Sequence, residues 1–272
     1  MLLTASMKLK EIMRRSPWIV EGIDTLGTAH DLMRRHAIRH LPVLRGDMLV
    51  GMLSERDILE YRANLAGADD WTRVAVSGAM NHSPQTAGPD DSVTEAAGRM
   101  AISKLDALPV VELGRLIGIV TVTDILTAEV QRSMAATPGS RATVADAMTP
   151  GPFTIGPDDT LLDAATRMSL HGIRHLPVLD HGAVVGMLSE RDLRTYIGDP
   201  SLFTITRGNS PLRVRDLVAR QPISVAPEQL VIEIARRFTD YQIGAMPVVN
   251  RDGALLGIIS YVDVLRTVAQ AA

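Results

Sequence analysis

The 272-residue chain has no cysteine. Disulfides, zinc–thiolate sites and cysteine nucleophiles are therefore excluded. Aromatic residues are 3% of the chain, while hydrophobic residues make up 46%. The core must be built from Leu, Ile, Val, Met and Ala, and stacking platforms for nucleic-acid bases are few. Lysine is nearly absent: only Lys8, Lys10 and Lys104 occur, so arginine carries the positive charge. An excess of either sign is also lacking, with a formal net charge of −3. No strongly basic face is demanded, which argues against nucleic-acid binding. No stretch approaches the ~20 apolar residues of a membrane span. The run Met1–Ala5 is too short for the apolar part of a secretory signal. The expectation is a soluble cytoplasmic protein of two ordinary-sized domains, with no membrane partner.

What the chain does contain is one unit written four times. Each copy has an opening proline (Pro17, Pro84, Pro152, Pro222) and a later proline (Pro42, Pro109, Pro177, Pro247), 25 residues apart in every copy. A Gly-x-x-[Ser/Thr]-x-x-Asp run follows: Gly51–Asp57, Gly118–Asp124, Gly186–Asp192 and Gly257–Asp263. The later proline and the Asp are 15 residues apart in the first three copies and 16 in the fourth. The extra residue falls near Arg251-Asp252-Gly253. Copies one and three are most alike: His36–Asp57 and His171–Asp192 agree at 16 of 22 positions. A two-repeat unit has been duplicated, and Gln131–Thr143 reads as the linker between the two.

Within each copy the apolar spacing predicts a helix and then a hairpin. Val93, Ala96, Ala97 and Met100 line one face, as do Leu161, Ala164, Ala165 and Met168, and Val231, Ile234, Ala235 and Phe238. Ser92 with Glu95, and Thr160 with Asp163, fit capping boxes. Leu41–Leu44 and Met48–Leu53, split by Arg45-Gly46-Asp47, read as a hairpin. The Ser-x-x-Asp run then opens a second helix. The repeat is β-α-β-β-α, about 55–60 residues by ordinary element lengths. A unit so short buries too little surface alone and must pair with its neighbour.

A hydrophobic-Pro-Val strand, a hairpin, Gly-x-x-[Ser/Thr]-x-x-Asp and an amphipathic helix together resemble the CBS domain, in four copies over nearly the whole chain. The resemblance implies an α/β (α+β) fold of four β-α-β-β-α CBS repeats paired into two Bateman modules. Module one is expected at residues 1–133, with repeats at about 7–63 and 74–130. Module two is expected at 141–272, with repeats at about 142–199 and 212–270. The layout is similar to that of the gamma subunits of AMP-activated protein kinases and of stand-alone prokaryotic CBS proteins. It also implies clefts for adenosine-containing ligands: AMP, ADP or ATP (with or without Mg²⁺), with NAD or S-adenosylmethionine as alternatives.

Such a ligand needs an apolar slot for adenine, a carboxylate for the ribose hydroxyls, and cations or helix-start N–H groups for phosphate. By resemblance the Asp of each run holds ribose and the Ser or Thr contacts ribose or phosphate. In copies one and three this gives Ser54, Arg56 and Asp57, and Ser189, Arg191 and Asp192. Arg39-His40 and Arg174-His175, just before the later prolines, add basic groups that suit a phosphorylated ligand. Copy two offers Thr121, Thr123 and Asp124 with less positive charge, and copy four Ser260 and Asp263, with Val262 where copies one and three carry Arg. One good site per module is the expectation. Capping accounts for the Ser and Asp as well, because Ser at N-cap with an acid three residues on is an ordinary helix start. It does not account for Arg56 and Arg191, since a cation in the first turn opposes the helix dipole. His36 with His40, and His171 with His175, have metal-pair spacing but straddle a helix end and a strand. No protein metal site is expected, and His36 and His171 are expected to meet helix C-terminal carbonyls.

Two functions compete. One is a non-catalytic, energy-sensing regulator that binds adenine nucleotides and signals to a regulated partner protein, with a homodimer allowed. The other is an interaction scaffold with degenerate sites. Catalysis is not expected, because Glu55 and Asp57 have counterparts at other helix starts, which fits architecture better than acid–base chemistry.

Overall fold

The computed structural model describes residues 7–64, 70–135, 142–197, 212–218 and 222–270. Of the expected linker Gln131–Thr143, residues 136–141 lie outside the described residues, and 131–135 continue the helix Val122–Ala135. The chain divides into two compact units, Met1–Ile125 and Leu126–Ala271. The division falls within a long helix, Val122–Ala135.

Each copy builds the predicted hairpin and both helices. In the first, α2 (Leu26–His36) is followed by β3 (His40–Arg45), β4 (Met48–Ser54) and α3 (Glu55–Asn64). The counterparts in copy two are α4 (Val93–Ser103), β5 (Ala107–Glu112), β6 (Arg115–Thr121) and α5 (Val122–Ala135). Copy three has α7 (Leu161–His171), β8 (His175–Asp180), β9 (Ala183–Ser189) and α8 (Glu190–Ile197). Copy four has Val231–Asp240, β10 (Ala245–Val249), β11 (Leu255–Ser260) and Tyr261–Gln270. The two capping boxes foreseen at Ser92 and Thr160 both form. The extra residue of copy four widens its hairpin loop, where Asn250 Oδ1 accepts the Asp252 and Ala254 N–H groups.

The opening strand is shorter than the pattern predicts. In copy one it is two residues, β2 (Val20–Glu21), parallel to β3. In the others it shrinks to one bridging residue: Ala87 on Val110, Ile155 on Val178 and Val225 on Val248. Each of these donates its N–H to the carbonyl of the later proline (2.9–3.1 Å) and accepts one in return two residues on (2.8–3.0 Å). That pairing explains the fixed 25-residue spacing. Opening residue and later proline must lie side by side, and the first helix, of 10 or 11 residues, is the return path. Arg99, Arg167 and Arg237 brace this path by donating to the carbonyls of Thr86, Thr154 and Ser224.

Five residues before each later proline the chain enters the left-handed region: Ala37, Lys104, Gly172 and Gln242, with φ of 51°, 53°, 60° and 52°. Only copy three uses glycine there, so the first helix ends by a backbone reversal that the packing imposes.

Pairing of the repeats rests on an arm that precedes each opening proline. The arm of copy one, α1 (Leu9–Ile12) and β1 (Arg14–Arg15), lies on copy two. Leu9 and Lys10 donate their N–H groups to the carbonyls of Asp91 and Pro89, and β1 runs antiparallel to β6. The arm of copy two returns the contact: Val76 donates to Asp24 O, and Asn81 pairs with Met52 on β4. In the second unit α6 (Val144–Ala147) and β7 (Thr149–Pro150) lie on copy four, and Val214–Leu217 lies on copy three. The glycines of three of the Gly-x-x-[Ser/Thr] runs make room for the arm. A Cβ on Gly118 would stand 2.7 Å from Met13 Sδ and 3.1 Å from Arg14 O. Gly51 faces Met80 and Asn81 O in the same way, and Gly257 faces Met148 and Thr149 O.

Gly118→Ala and Gly51→Ala are expected to lower the denaturation midpoint by about 1–3 kcal/mol of stability, because backbone and a packed sulfur must both move. Gly78→Ala, whose Cβ would meet only Val74 Cγ1 at 3.5 Å, should be close to neutral. Urea unfolding of the three variants checks this.

Candidate nucleotide site

In all four copies the hairpin carries the start of β3, or its equivalent, back to the start of the second helix. His40 lies opposite Ser54, Ala107 opposite Thr121, His175 opposite Ser189 and Ala245 opposite Ser260. The first helical N–H then closes on the residue before the strand: Glu55 to Arg39 O (2.9 Å), Val122 to Asp106 O (3.0 Å), Glu190 to Arg174 O (2.8 Å) and Tyr261 to Gly244 O (3.3 Å). Arg39, His40, Ser54, Arg56 and Asp57 thus converge in copy one. Arg174, His175, Ser189, Arg191 and Asp192 do so in copy three, and Thr121, Thr123 and Asp124 share the helix start of copy two.

The cap is closed at these helix starts. Asp57 Oδ2 accepts the Ser54 N–H (2.7 Å) and the Ser54 hydroxyl (2.6 Å), and Ser54 Oγ accepts the Asp57 N–H (3.2 Å). Asp192 with Ser189, and Asp124 with Thr121, repeat the pattern. The hydroxyl spends its proton on the carboxylate, so toward a ligand it can only accept. The carboxylate takes part through Oδ2 alone. The second oxygen of the half-buried Asp57, Asp124 and Asp192 stands outside the cap, and a carboxylate oxygen can accept from a diol. Copy four differs: Asp263 is 7% exposed, and its Oδ1 takes Arg266 Nη1 at 3.0 Å. Ser260 and Asp263 form a cap closed on both oxygens. Arg56 and Arg191 sit at the second helical position on the exposed side, as does Thr123, while Val262 of copy four is buried.

His40 lies between the two repeats of its unit. Burial pushes its pKa below the ordinary imidazole range, partly opposed by the Asp106 carboxylate of copy two. His175 packs on copy four instead: a Cβ on Gly244 would come within 2.7 Å of His175 Cε1 and closer still to Nε2. Arg174 lies over the Tyr261 ring, 5.9 Å from its centroid.

His36 and His171 do not take up the helix C-terminal carbonyls expected of them. They stack on Trp18 and Phe153, with ring centroids 3.8 and 3.7 Å apart. The aromatic residue directly after the opening proline, present in copies one and three only, is the signal that foretold this. Among the described residues no cluster of three metal-ligating side chains occurs, and no helix is long and apolar enough to cross a membrane.

The fold and these helix starts define a protein of paired β-α-β-β-α repeats. Residues 9–64, 76–131, 144–199 and 214–270 each match the CBS domain. The chain belongs to the CBS-domain family. It is 23% identical over 264 residues to protein MJ1225 of Methanocaldococcus jannaschii, covering 89% of this chain and 91% of that one. The crystal structure of MJ1225, described as a candidate archaeal homologue of g-AMPK, superposes with a TM-score of 0.77 at 21% identity, covering 96% and 99% of the two chains. A protein of Pyrococcus horikoshii gives 0.67 at 24% identity, covering 96% and 100%. At these identities the likeness is one of fold. Inosine-5'-monophosphate dehydrogenase of Korarchaeum cryptofilum is 32% identical over 112 residues, which is 41% of this chain and 21% of that enzyme.

The lowered pKa of His40 has a consequence for stability. Below about pH 6.5 the unfolded chain takes up a proton that folded His40 resists, so stability falls as the pH drops. His40→Gln should flatten the loss between pH 7 and 5, measured by urea unfolding at each pH. Equal slopes in the two proteins would contradict the placement of His40.

Proposed function

We propose that the chain is a non-catalytic regulatory sensor that binds adenosine-containing nucleotides, AMP, ADP or ATP, and passes the binding event to a partner protein. The observation that carries this reading is the convergence of a basic strand start with a half-buried Asp whose second oxygen is left outside its helix cap. Ribose hydroxyls donate to Asp57 and Asp192. Phosphate oxygens accept from Arg39, Arg56, Arg174 and Arg191, and from His40 and His175 once the phosphate favours their protonated forms. Thr121, Thr123 and Asp124 offer a second, less basic site in module one. Mg²⁺ enters only as the companion of ATP. The modules are taken as residues 1–133 and 141–272, and the chain works in the cytoplasm. Family membership supports the regulatory role. Ligand binding acts by favouring one arrangement of paired repeats over another.

Thermal unfolding of nucleotide-stripped protein tests the reading. At about 100 times its dissociation constant, a bound nucleotide adds roughly 2.7 kcal/mol, a shift of several degrees for units of this size. The shift should shrink in Asp57→Asn and Asp192→Asn, which keep a cap acceptor but lose charge, and persist in Asp263→Asn. No shift with AMP, ADP, ATP, NAD or S-adenosylmethionine would leave the helix starts as caps on a structural scaffold.

A further inference from the structure

Peroxide chemistry in this chain falls on methionine, because the 272 residues include 13 methionines and no cysteine. Three of the methionines occupy one place in the fold. Met13, Met80 and Met148 each end the short helical turn of an arm, donating their N–H groups to the carbonyls of Leu9, Val76 and Val144. Each sulfur lies against the bare α-carbon of a glycine on the partner repeat's central strand. A Cβ on Gly118, Gly51 or Gly257 would stand 2.7, 2.5 or 2.6 Å from the sulfur of Met13, Met80 or Met148. A backbone carbonyl closes the same notch: Arg14 O, Asn81 O and Thr149 O lie 3.1, 3.0 and 2.9 Å from that point. All three methionines are half-buried, within reach of a small oxidant. The corresponding residue of the fourth arm, whose N–H goes to Val214 O, is Val218, which has no sulfur.

We infer that Met13, Met80 and Met148 form a peroxide-sensitive latch on repeat pairing. Their oxidation to sulfoxides releases the arms, and the first unit, with two such arms, opens before the second, with one. In the step a sulfur lone pair attacks one peroxide oxygen, and the S–O bond forms as the O–O bond breaks. The departing hydroxide takes the proton of the transferred hydroxyl and leaves as water. Sulfur loses two electrons and peroxide gains them. The new oxygen only accepts hydrogen bonds, and the carbonyl in the notch is another acceptor. A flexible apolar side chain thus becomes a polar one where two backbones pack closely. Methionine sulfoxide reductases, drawing on a dithiol, reverse the step, one enzyme for each sulfoxide epimer. The latch rests on the packing of the arms and is independent of nucleotide binding.

Hydrogen peroxide treatment of the intact chain, followed by peptide mass spectrometry and urea unfolding, tests this. Met13, Met80 and Met148 should be oxidised while the chain is folded, whereas Met33, Met100, Met168 and Met246, each 4% exposed or less, stay reduced. The urea midpoint should fall by about 0.5–1 M, and the two reductases with a dithiol should restore it. The triple variant Met13→Leu, Met80→Leu, Met148→Leu, close to the parent in volume, should keep its midpoint through the same treatment. Met48→Leu should stay as sensitive as the parent, because Met48 is 48% exposed and its sulfoxide reaches water. If the triple variant does not fold, hydrogen exchange of the oxidised parent decides: residues 9–13 and 76–80 should lose protection before 214–218, and equal loss in all arms would overturn the inference. So would arm methionines that oxidise no faster than the core ones, or a midpoint that falls equally in parent and triple variant.

Discussion

The structure depends on a close approach between one repeat's arm and its partner's central strand. Gly51, Gly118 and Gly257 leave space for Met80, Met13 and Met148 and for the backbone that follows them. Nothing larger than a hydrogen fits without shifting a peptide carbonyl. Because the arms cross in both directions, neither repeat of a pair completes its surface alone. Leu9 and Val76, both fully buried, come from arms that lie against the partner repeat. A unit of this size has too little core to stand by itself, and the exchange makes pairing part of its folding.

That constraint also makes the site. Crossed arms hold the two hairpins of a unit together, so the start of one hairpin strand meets its counterpart from the partner repeat. His175 meets Gly244 in this way. The short return of each hairpin brings the second helix start to the same place, with its cap already closed. Backbone bonds therefore position the groups proposed to face the ligand in advance, and a ligand would not need to order them. The repeats differ in the side chains hung on this frame. Copy four seals its carboxylate with Arg266, while copies one to three leave an oxygen beyond the cap.

Much of this was legible in the sequence because it repeats. The proline spacing reported a real side-by-side pairing, and the capping boxes at Ser92 and Thr160 form as their residues predict. The opening strand was overread: local pattern marks where an extended segment starts, but partner geometry decides how many residues pair. The arms were missed, although a signal existed. Leu9, Val76, Val144 and Val214 each stand four residues before Met13, Met80, Met148 and Val218, and these stand four before the opening prolines. Four-residue helices are too short for periodicity to reveal, and their meaning lies in contacts with another repeat. The candidate site was legible as residues but not as a choice between cap and ligand, because the same serine and aspartate serve both. Only the placement of the second carboxylate oxygen separates the copies.

Hydrogen exchange of the intact, nucleotide-stripped chain, with and without saturating ATP or AMP, tests the central claim most directly. The account predicts ligand-dependent protection concentrated at residues 39–41 and 54–57, and at 174–176 and 189–192, with the helix start at 260–263 unchanged. Weaker protection at 121–124 would mark the second site of module one; protection outside all these segments, or none at them while nucleotide is bound, would contradict the account.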